Sequence, residues 1–306
     1  MKILVVGGTG HIGSFLVPML AEKGHEVVVV SRNRKSVDAP GWENVQLVQA
    51  DYRRDESEWR NFISQAESEV LIDILGTDVP ATYEAAKPNC RHFIACCSLW
   101  MFGPPRVVPT PEETHGPCPF EGYALRYSEM LSTKDQAERD GVAFSAVMPP
   151  NICGPGKIPL DGHGGRDLEV HKAHLRGEPV KLPRGCNTLI GPCDAEDVAQ
   201  GFFLAVCQPE AAAGKIFNVG SSYALPAPQF ISSYAAIHGK EIPIEFVSSE
   251  EFFSSVLPAP GANYHFSQHM LPDISKIRSK LGYEPRYTAE ETMERAVKWM
   301  KGRSLL

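Results

Sequence analysis

Glycines at 7, 10 and 13 punctuate the opening stretch M-K-I-L-V-V-G-G-T-G-H-I-G, and their spacing suits the diphosphate of a dinucleotide. Gly7 permits a tight turn, Gly10 lets backbone amides approach a pyrophosphate, and Gly13 lets the following helix pack against the strand. That helix, expected over Ser14–Lys23, turns its amino end and positive dipole pole toward the phosphates. Glycines also mark ordinary turns. Here they follow the apolar run Ile3–Val6, open a helix and are succeeded by Gly24-His25-Glu26 and a second strand, Val27–Val30. That is the context dinucleotide binding requires. Beyond the second strand, where a carboxylate would hold the ribose 2′-hydroxyl of NAD, stands Ser31-Arg32-Asn33-Arg34-Lys35. A guanidinium there can pair with the 2′-phosphate of NADP, so the sequence favours NADP over NAD, against the alternative of a solvated basic loop.

The cysteines at 90, 96, 97, 118, 153, 186, 193 and 207 form no Cys-x-x-Cys pair. Cys186 and Cys193 with His171 and His174, three apart on an expected helix, are the combination nearest to a zinc set. The usual short cysteine spacing is missing, so buried reduced thiols are preferred and no metal is expected.

The elements that must position these residues alternate. Further strands are expected at Val45–Val48, Val70–Leu75, His92–Cys97 and Ala143–Met148, with helices over Glu56–Ala66, Pro80–Ala86 and about Tyr123–Arg139. This order predicts an α/β fold, a doubly wound parallel Rossmann sheet with helices on both faces. Arg106–Pro119 is proline-rich and should form an irregular loop over the strand ends. Gly154-Pro155-Gly156 and Asp161–Gly165 suggest mobile loops bordering a site. Helix returns at Ala195–Val206, strand at Lys215–Val219, and two helices, Asp273–Leu281 and Thr288–Met300, close the chain. The expected organisation is a dinucleotide-binding domain of residues 1–156 plus about 186–225, and a smaller substrate-binding lobe of about 157–185 plus 226–306.

With 306 residues, 43% hydrophobic and 22% charged, the composition is that of a soluble protein with a substantial core. The formal charge of −7 and the absence of a long basic block argue against nucleic acid as a partner. No stretch approaches a membrane span or a signal peptide, so no membrane association and a cytoplasmic location are expected.

Taken together, these segments resemble the extended short-chain dehydrogenases/reductases, the NAD-dependent epimerase/dehydratase group. Gly7-x-x-Gly10-x-x-Gly13 is similar to the family's nucleotide loop, and Ala50-Asp51 to the acidic position after its third strand. Cys97-Ser98-Leu99-Trp100-Met101-Phe102-Gly103 and Pro111-Glu112-Glu113-Thr114 resemble its serine segment and the loop beyond. Pro149-Pro150-Asn151-Ile152-Cys153-Gly154-Pro155-Gly156, Asp194–Val198, Phe217-Asn218-Val219-Gly220 and Leu281-Gly282-Tyr283-Glu284-Pro285 complete a match along essentially the whole chain. The resemblance implies that Gly7, Thr9, Gly10, His11, Ile12 and Gly13, with Ser31, Arg32, Asp51, Tyr52 and Leu75, hold the cofactor. Asp51 would take the adenine amino group.

The resemblance also implies a catalytic serine, a tyrosine and a lysine four residues after the tyrosine. Ser98 matches the serine that hydrogen-bonds the reacting oxygen; otherwise it is a strand-end serine satisfied by backbone. Tyr123, 25 residues later, matches the tyrosine that exchanges a proton with that oxygen. The lysine is absent, because Tyr127 stands at its place in Tyr123-Ala124-Leu125-Arg126-Tyr127. A lysine ammonium would lower the phenol pKa from about 10 and grip the nicotinamide ribose. Arg126 can supply field without shuttling a proton, and Tyr127 can at most hydrogen-bond the ribose; the alternative is an exposed arginine and a packing tyrosine. Tyr83-Glu84-Ala85-Ala86-Lys87 repeats the Tyr-x-x-x-Lys letters but precedes Ser98, so it is read as an outer helix with a solvated lysine.

Asn151 matches an asparagine that contacts substrate in relatives. The arginine that clamps the diphosphate of nucleotide sugars is missing from Thr188-Leu189-Ile190-Gly191-Pro192, the nearest being Arg184, which weakens a diphosphate-sugar assignment. Lys157, His163 and Arg166 are either solvated or face an anionic substrate. The leading expectation is an NAD(P)-dependent epimerase/dehydratase-like oxidoreductase for a carbohydrate-like or other hydroxyl/carbonyl small molecule. The alternative is a catalytically silent NAD(P)-binding sensor or scaffold of the same fold. An RNA-processing branch of the superfamily also lacks the tyrosine-lysine pattern, but the acidic charge counts against RNA binding. Relatives dimerise through the tyrosine-bearing helix, and Leu125, Met130 and Leu131 are compatible with a homodimer of that kind.

Overall fold

The computed structural model describes residues 1–32, 40–51, 56–76, 78–113, 116–258 and 262–306. Its centre is built from β1 (Lys2–Val6), α1 (Gly13–Glu22), β2 (Glu26–Ser31), β3 (Gln46–Gln49), α2 (Glu56–Gln65), β4 (Val70–Asp73), α3 (Val79–Ala86), β5 (His92–Cys96), α4 (Glu121–Asp140) and β6 (Ala143–Met148). Next come β7 (Asn151–Cys153), α5 (Leu168–Arg176), β8 (Val180–Pro183), β9 (Leu189–Ile190), β10 (Pro192–Asp194), α6 (Ala195–Cys207), α7 (Pro209–Ala212) and β11 (Lys215–Asn218). The sheet order is β11-β6-β5-β4-β1-β2-β3, and every pairing in it is parallel. Connections run one way from β1 to β3 and the other way from β4 onward. The crevice between the carboxyl ends of β1 and β4 is therefore the switch point at which such sheets bind ligands.

Strand residues alternate between two cores because successive side chains point to opposite faces. Ile3, Val5, Val27, Val29 and Ile72 pack with Leu16 and Val17 of α1 and Phe202 of α6. Leu4, Val6, Val28, Val30, Leu71 and Phe93 pack with Trp59 of α2, Tyr83 of α3 and Met130 of α4. With both faces covered, the strands read as continuous apolar runs. Each fully buried Ile or Leu contributes ~1.5–3 kcal/mol of transfer free energy.

A third core joins Leu160, Val180, Leu182 and Ile190 to the later part of the chain. That part holds β12 (Leu225–Pro226), α8 (Ala227–His238), β13 (Ile244–Val247), α9 (Ser249–Glu251), α10 (Ser275–Leu281) and α11 (Ala289–Gly302). Phe230 and Tyr234 of α8 and Met293, Val297 and Met300 of α11 fill this core, whereas Ile274, Ile277, Leu281 and Tyr283 pack into the first. The cores are stitched by Asp194, the N-cap of α6. It is fully buried and accepts bonds from Thr292 Oγ1 (2.9 Å), Arg295 Nε (2.9 Å) and the Glu196 amide (3.0 Å). A capping box between Thr288 and Glu291 starts α11.

One expectation needs correction and two are refined. Met130 and Leu131 do not form an outer face of α4: Met130 is buried in the second core and Leu131 packs against it, leaving Leu125 exposed. Lys87 is not merely solvated, because it pairs with Glu84 (3.0 Å) and Asp140 (3.4 Å) and so links α3 to the end of α4. The Asp161–Gly165 turn, expected to be mobile, is braced by the buried Asp161 carboxylate, which accepts from the amides of His163 (2.8 Å), Gly165 (3.2 Å) and Asp167 (2.9 Å).

Candidate functional site

The glycine turn leaves β1 and enters α1 largely through backbone contacts. Gly7 has φ +80°, a conformation that favours glycine, and its amide donates to Val30 O at 2.9 Å. Gly13 meets the turn so closely that a Cβ on it would stand 2.2 Å from Gly8 O. Strand and helix therefore approach as far as backbone allows, leaving the first amides of α1 at the crevice. Ile12 brings only its backbone to this turn, since its side chain is buried in the first core.

On the β2 side of the turn a cavity of about 190 Å³ is lined by Gly7, Thr9, Gly10, Ser31, Arg32, Ala50 and Leu75, among others. Thr9 Oγ1 and Ser31 Oγ share a 2.5 Å hydrogen bond that ties the turn to the end of β2. Asp51 directly follows Ala50, whose amide donates to Ser31 O at 3.1 Å. Tyr52, Asn33, Arg34 and Lys35 lie outside the described residues. The His11 ring is not in this cavity; it turns toward Gly156, where a Cβ would stand 3.1 Å from His11 Cδ2.

Ser98 and Tyr123 lie beyond β5 and at the start of α4. The amides of Cys97 and Leu99 donate to Val147 O (2.9 Å) and Pro149 O (3.1 Å), fixing the segment against β6. Ser98 caps the 3₁₀ turn Leu99–Phe102, its Oγ accepting from the Trp100 amide at 3.3 Å. That leaves the hydroxyl proton free to donate. Trp100 contacts Phe120 (centroids 6.1 Å apart), and Phe120 contacts Tyr123 (6.3 Å), so an aromatic chain links the serine turn to the tyrosine. Tyr127 packs edge-on against Phe102 at 5.7 Å.

Arg126 is half-buried, and its charge acts on Asp73 and Cys97. Asp73 ends β4 on the α4 side of the sheet, 1% exposed, with Oδ1 accepting from the Gly76 amide at 3.0 Å. Burial pushes its pKa up to about 6, against the opposing pull of the Gly76 and Leu75 amides and of Arg126. Asp73 went unnoticed in the sequence; the available signal was a carboxylate ending the apolar run Val70-Leu71-Ile72.

Asn151 opens β7, 4% exposed, and its Nδ2 is buried without a hydrogen-bond partner. Tyr264 and His265 close over Trp100 at 4.6 Å each, and the Tyr264 hydroxyl and His265 Nδ1 are likewise unpartnered. Nothing in the sequence pointed to these two, which sit on a short 3₁₀ turn, Ala262–Phe266. Among the described residues no group of three or more His, Cys, Asp or Glu is arranged to hold a metal. His171 and His174 instead pack on Tyr234, and Cys193 lies in the first core. Among the described residues no helix is long and apolar enough to cross a membrane.

The residues fit a dinucleotide: a glycine cradle a Cβ would fill and a cavity at the end of β2. The chloroplast stem-loop binding protein of 41 kDa b from Arabidopsis thaliana is 24% identical over 306 residues, 95% of this chain and 76% of that protein. UDP-D-apiose/UDP-D-xylose synthase 2 from the same plant is 29% identical over 186 residues, 56% of this chain and 46% of the synthase. The structure of UDP-glucose 4-epimerase from Thermotoga maritima with UDP-glucose superposes with a TM-score of 0.76 at 21% identity, covering 99% of this chain and 100% of that one. The profile of the NAD dependent epimerase/dehydratase family matches residues 3–85 and 78–220, and the chain belongs to that family.

Proposed function

We propose that this protein is an NADP-linked oxidoreductase or epimerase acting on a hydroxyl or carbonyl carbon of a carbohydrate-like substrate. The observation that carries the reading is the coincidence, at one set of strand ends, of the glycine turn with its cavity and the Ser98 and Tyr123 segments. Gly7, Gly10 and the first amides of α1 would hold the pyrophosphate, and Ser31 and Arg32 the adenosine ribose; Arg32 at the cavity wall favours a 2′-phosphate. A bound nicotinamide supplies a hydride acceptor or donor. Ser98 orients the substrate oxygen through its free proton, and Tyr123 takes or returns the proton on that oxygen. Asn151 offers its unpartnered amide to a second substrate oxygen.

Arg126 takes over the field of the absent lysine, and Tyr127 packs on Phe102 while leaving its hydroxyl for the ribose. Residues 1–156 and about 186–225 form the cofactor lobe in this reading, and 157–185 with 226–306, apart from Ile274–Tyr283, the substrate lobe. A homodimer through the outer face of α4, where Leu125 is exposed, and a cytoplasmic setting belong to the same reading.

The test is Tyr123→Phe, assayed with NADP(H) on a panel of sugars and nucleotide sugars. Turnover should be lost while cofactor binding and the unfolding midpoint are kept; unchanged turnover rejects the assignment. The second reading, a silent cofactor-binding protein, draws on Tyr127 and on the likeness to a stem-loop binding protein. Tyr127→Lys separates the two, since a silent protein would gain slow activity and an enzyme adapted to Tyr127 would lose it. RNA binding in a salt-sensitive gel shift would favour the silent reading, against the −7 charge.

A further inference from the structure

Helix α5 docks on α8 through two histidines. His171 and His174, one turn apart, are the buried residues among its nine. Their rings meet edge to face at 5.4 Å, and both rest on the Tyr234 ring of α8, at 5.4 Å and 5.0 Å. His238 extends the stack, nearly parallel to Tyr234 at 6.3 Å. The same stack carries the segment before α5. Tyr234 donates its hydroxyl proton to Leu160 O, and His171 Nε2 donates to Pro159 O at 3.1 Å. Gly162 lies so close to His174 that a Cβ on it would stand 2.7 Å from Nε2. At the end of the segment Arg166 donates to Ile158 O (2.6 Å) and to Ile152 O (2.9 Å) of β7, beside Asn151.

These surroundings hold both rings neutral. A carbonyl only accepts, so the His171 proton sits on Nε2, and its Nδ1 is buried without a partner. Neither His174 nitrogen has a partner, and the Ile231 and Val180 side chains reach the same corner. Asp161 and Asp167 act on His171, with Arg166 opposing them. The Asp161 oxygens are engaged by three amides, and Asp167 caps α5 by accepting from the Glu169 amide at 2.8 Å. The groups acting on His174 are His171, His238 and His163, every one a cation when charged. Lys301 of α11 acts on His238, and Lys181 of β8 on His163. Burial and these neighbours lower the His174 pKa to about 3.

We propose that His171 and His174 form an acid-operated latch: a proton on the pair frees α5 and segment 158–167 from α8, and with them the Arg166 brace on β7, while the seven-stranded sheet stays folded. A protonated imidazole donates from both nitrogens and carries a charge, and the corner around His174 presents it with no acceptor, whereas undocking exposes the ring to solvent. The opening is local because the titratable pair is what α5 buries, Leu168 adding only a half-buried contact to the third core. The open form takes a proton near the ordinary histidine value of 6.5 and the docked form far below it. The open population therefore rises by up to about tenfold per pH unit for each histidine as the pH falls below 6.5. The latch is independent of the reaction assigned to the crevice.

Amide hydrogen exchange of the whole chain between about pH 7.5 and 5, corrected for the intrinsic pH dependence of exchange, tests the latch. The α5 amides should lose protection by about tenfold per pH unit or more below 6.5, while those of β1 and β5 stay about a hundredfold better protected. His174→Gln should make the α5 loss shallower. If α5 and β5 lose protection together, acid unfolds the molecule as a whole and the proposal is overturned. Protection of α5 that ignores pH, or falls as steeply in His174→Gln, overturns it as well. Where that variant does not fold, NMR of the histidine rings in the unaltered protein decides. His174 should stay neutral for as long as α5 is protected, and a ring that titrates near 6.5 in the docked helix overturns the proposal.

Discussion

Helices α3 and α4 each begin a tyrosine pattern, and they use it in opposite ways. On α3, Tyr83-x-x-x-Lys87 has the catalytic letters, yet Tyr83 is fully buried, edge-on to Phe93 at 5.6 Å, with its hydroxyl donating to Asp140 at 3.0 Å. Burial and that carboxylate push its pKa well up, so it is a poor proton donor or acceptor. On α4, Tyr123 lacks the lysine and is half-buried, joined to the serine turn through Phe120 and Trp100. In the proposed reading, position on the sheet rather than the letters decides which tyrosine meets a substrate. The same contrast explains why Lys87 is absorbed by an ion pair.

Substitutions can break this comparison. The largest effect is expected for Tyr123→Phe, with turnover falling by about 10²–10⁴-fold, the usual worth of a positioned acid–base group. Tyr83→Phe should leave turnover unchanged; loss of turnover there would reverse the roles assigned to the two helices. Gly13→Ala should destabilise the glycine turn by about 3 kcal/mol or more in urea unfolding, because its Cβ has no room beside Gly8 O. Arg295→Met should cost about 3 kcal/mol by the same measurement, since it strips the partner from the buried Asp194 carboxylate.

Acid should weaken the fold by a calculable route. His92, His174 and His265 are buried, and burial lowers their pKa values from 6.5 to about 4, 3 and 3. The unfolded chain then binds more protons than the folded one, so stability is lost as the pH falls from 6.5 toward 4. Each such histidine adds up to about 1.4 kcal/mol per pH unit. Asp73 and Asp197, raised to about 6, act the other way: their contribution favours folding at low pH and is lost as the pH rises through 6. His174→Gln should flatten the acid slope of urea midpoints measured between pH 4 and 6.5. The smallest effects sharpen the helix comparison: Tyr83→Phe should cost about 1 kcal/mol for the hydrogen bond to Asp140, and Lys87→Met should cost less still, because solvent screens that pair.

The sheet was legible because buried parallel strands read as apolar runs. Val27–Val30 and Ala143–Met148 were located within a residue, and Tyr123–Arg139 within two of α4. Of the third core little beyond α11 was legible, a helix expected over Thr288–Met300 and found over Ala289–Gly302. Its strands β8, β9, β12 and β13 span two to four residues, too short for alternation to register, and α8 carries no N-cap side chain to announce it. Of the candidate site, the glycine turn could be read because backbone geometry dictates its residues. Asp73, Tyr264 and His265 could not, because single side chains brought in by tertiary packing leave no spacing behind.

The most direct measurement is a crystal structure of the protein grown with NADP⁺. The account predicts the pyrophosphate over the amides that follow Gly10, the 2′-phosphate beside Arg32, and the nicotinamide ring next to the Ser98 and Tyr123 hydroxyls. A dinucleotide bound elsewhere, or one whose nicotinamide lies away from both hydroxyls, would contradict it.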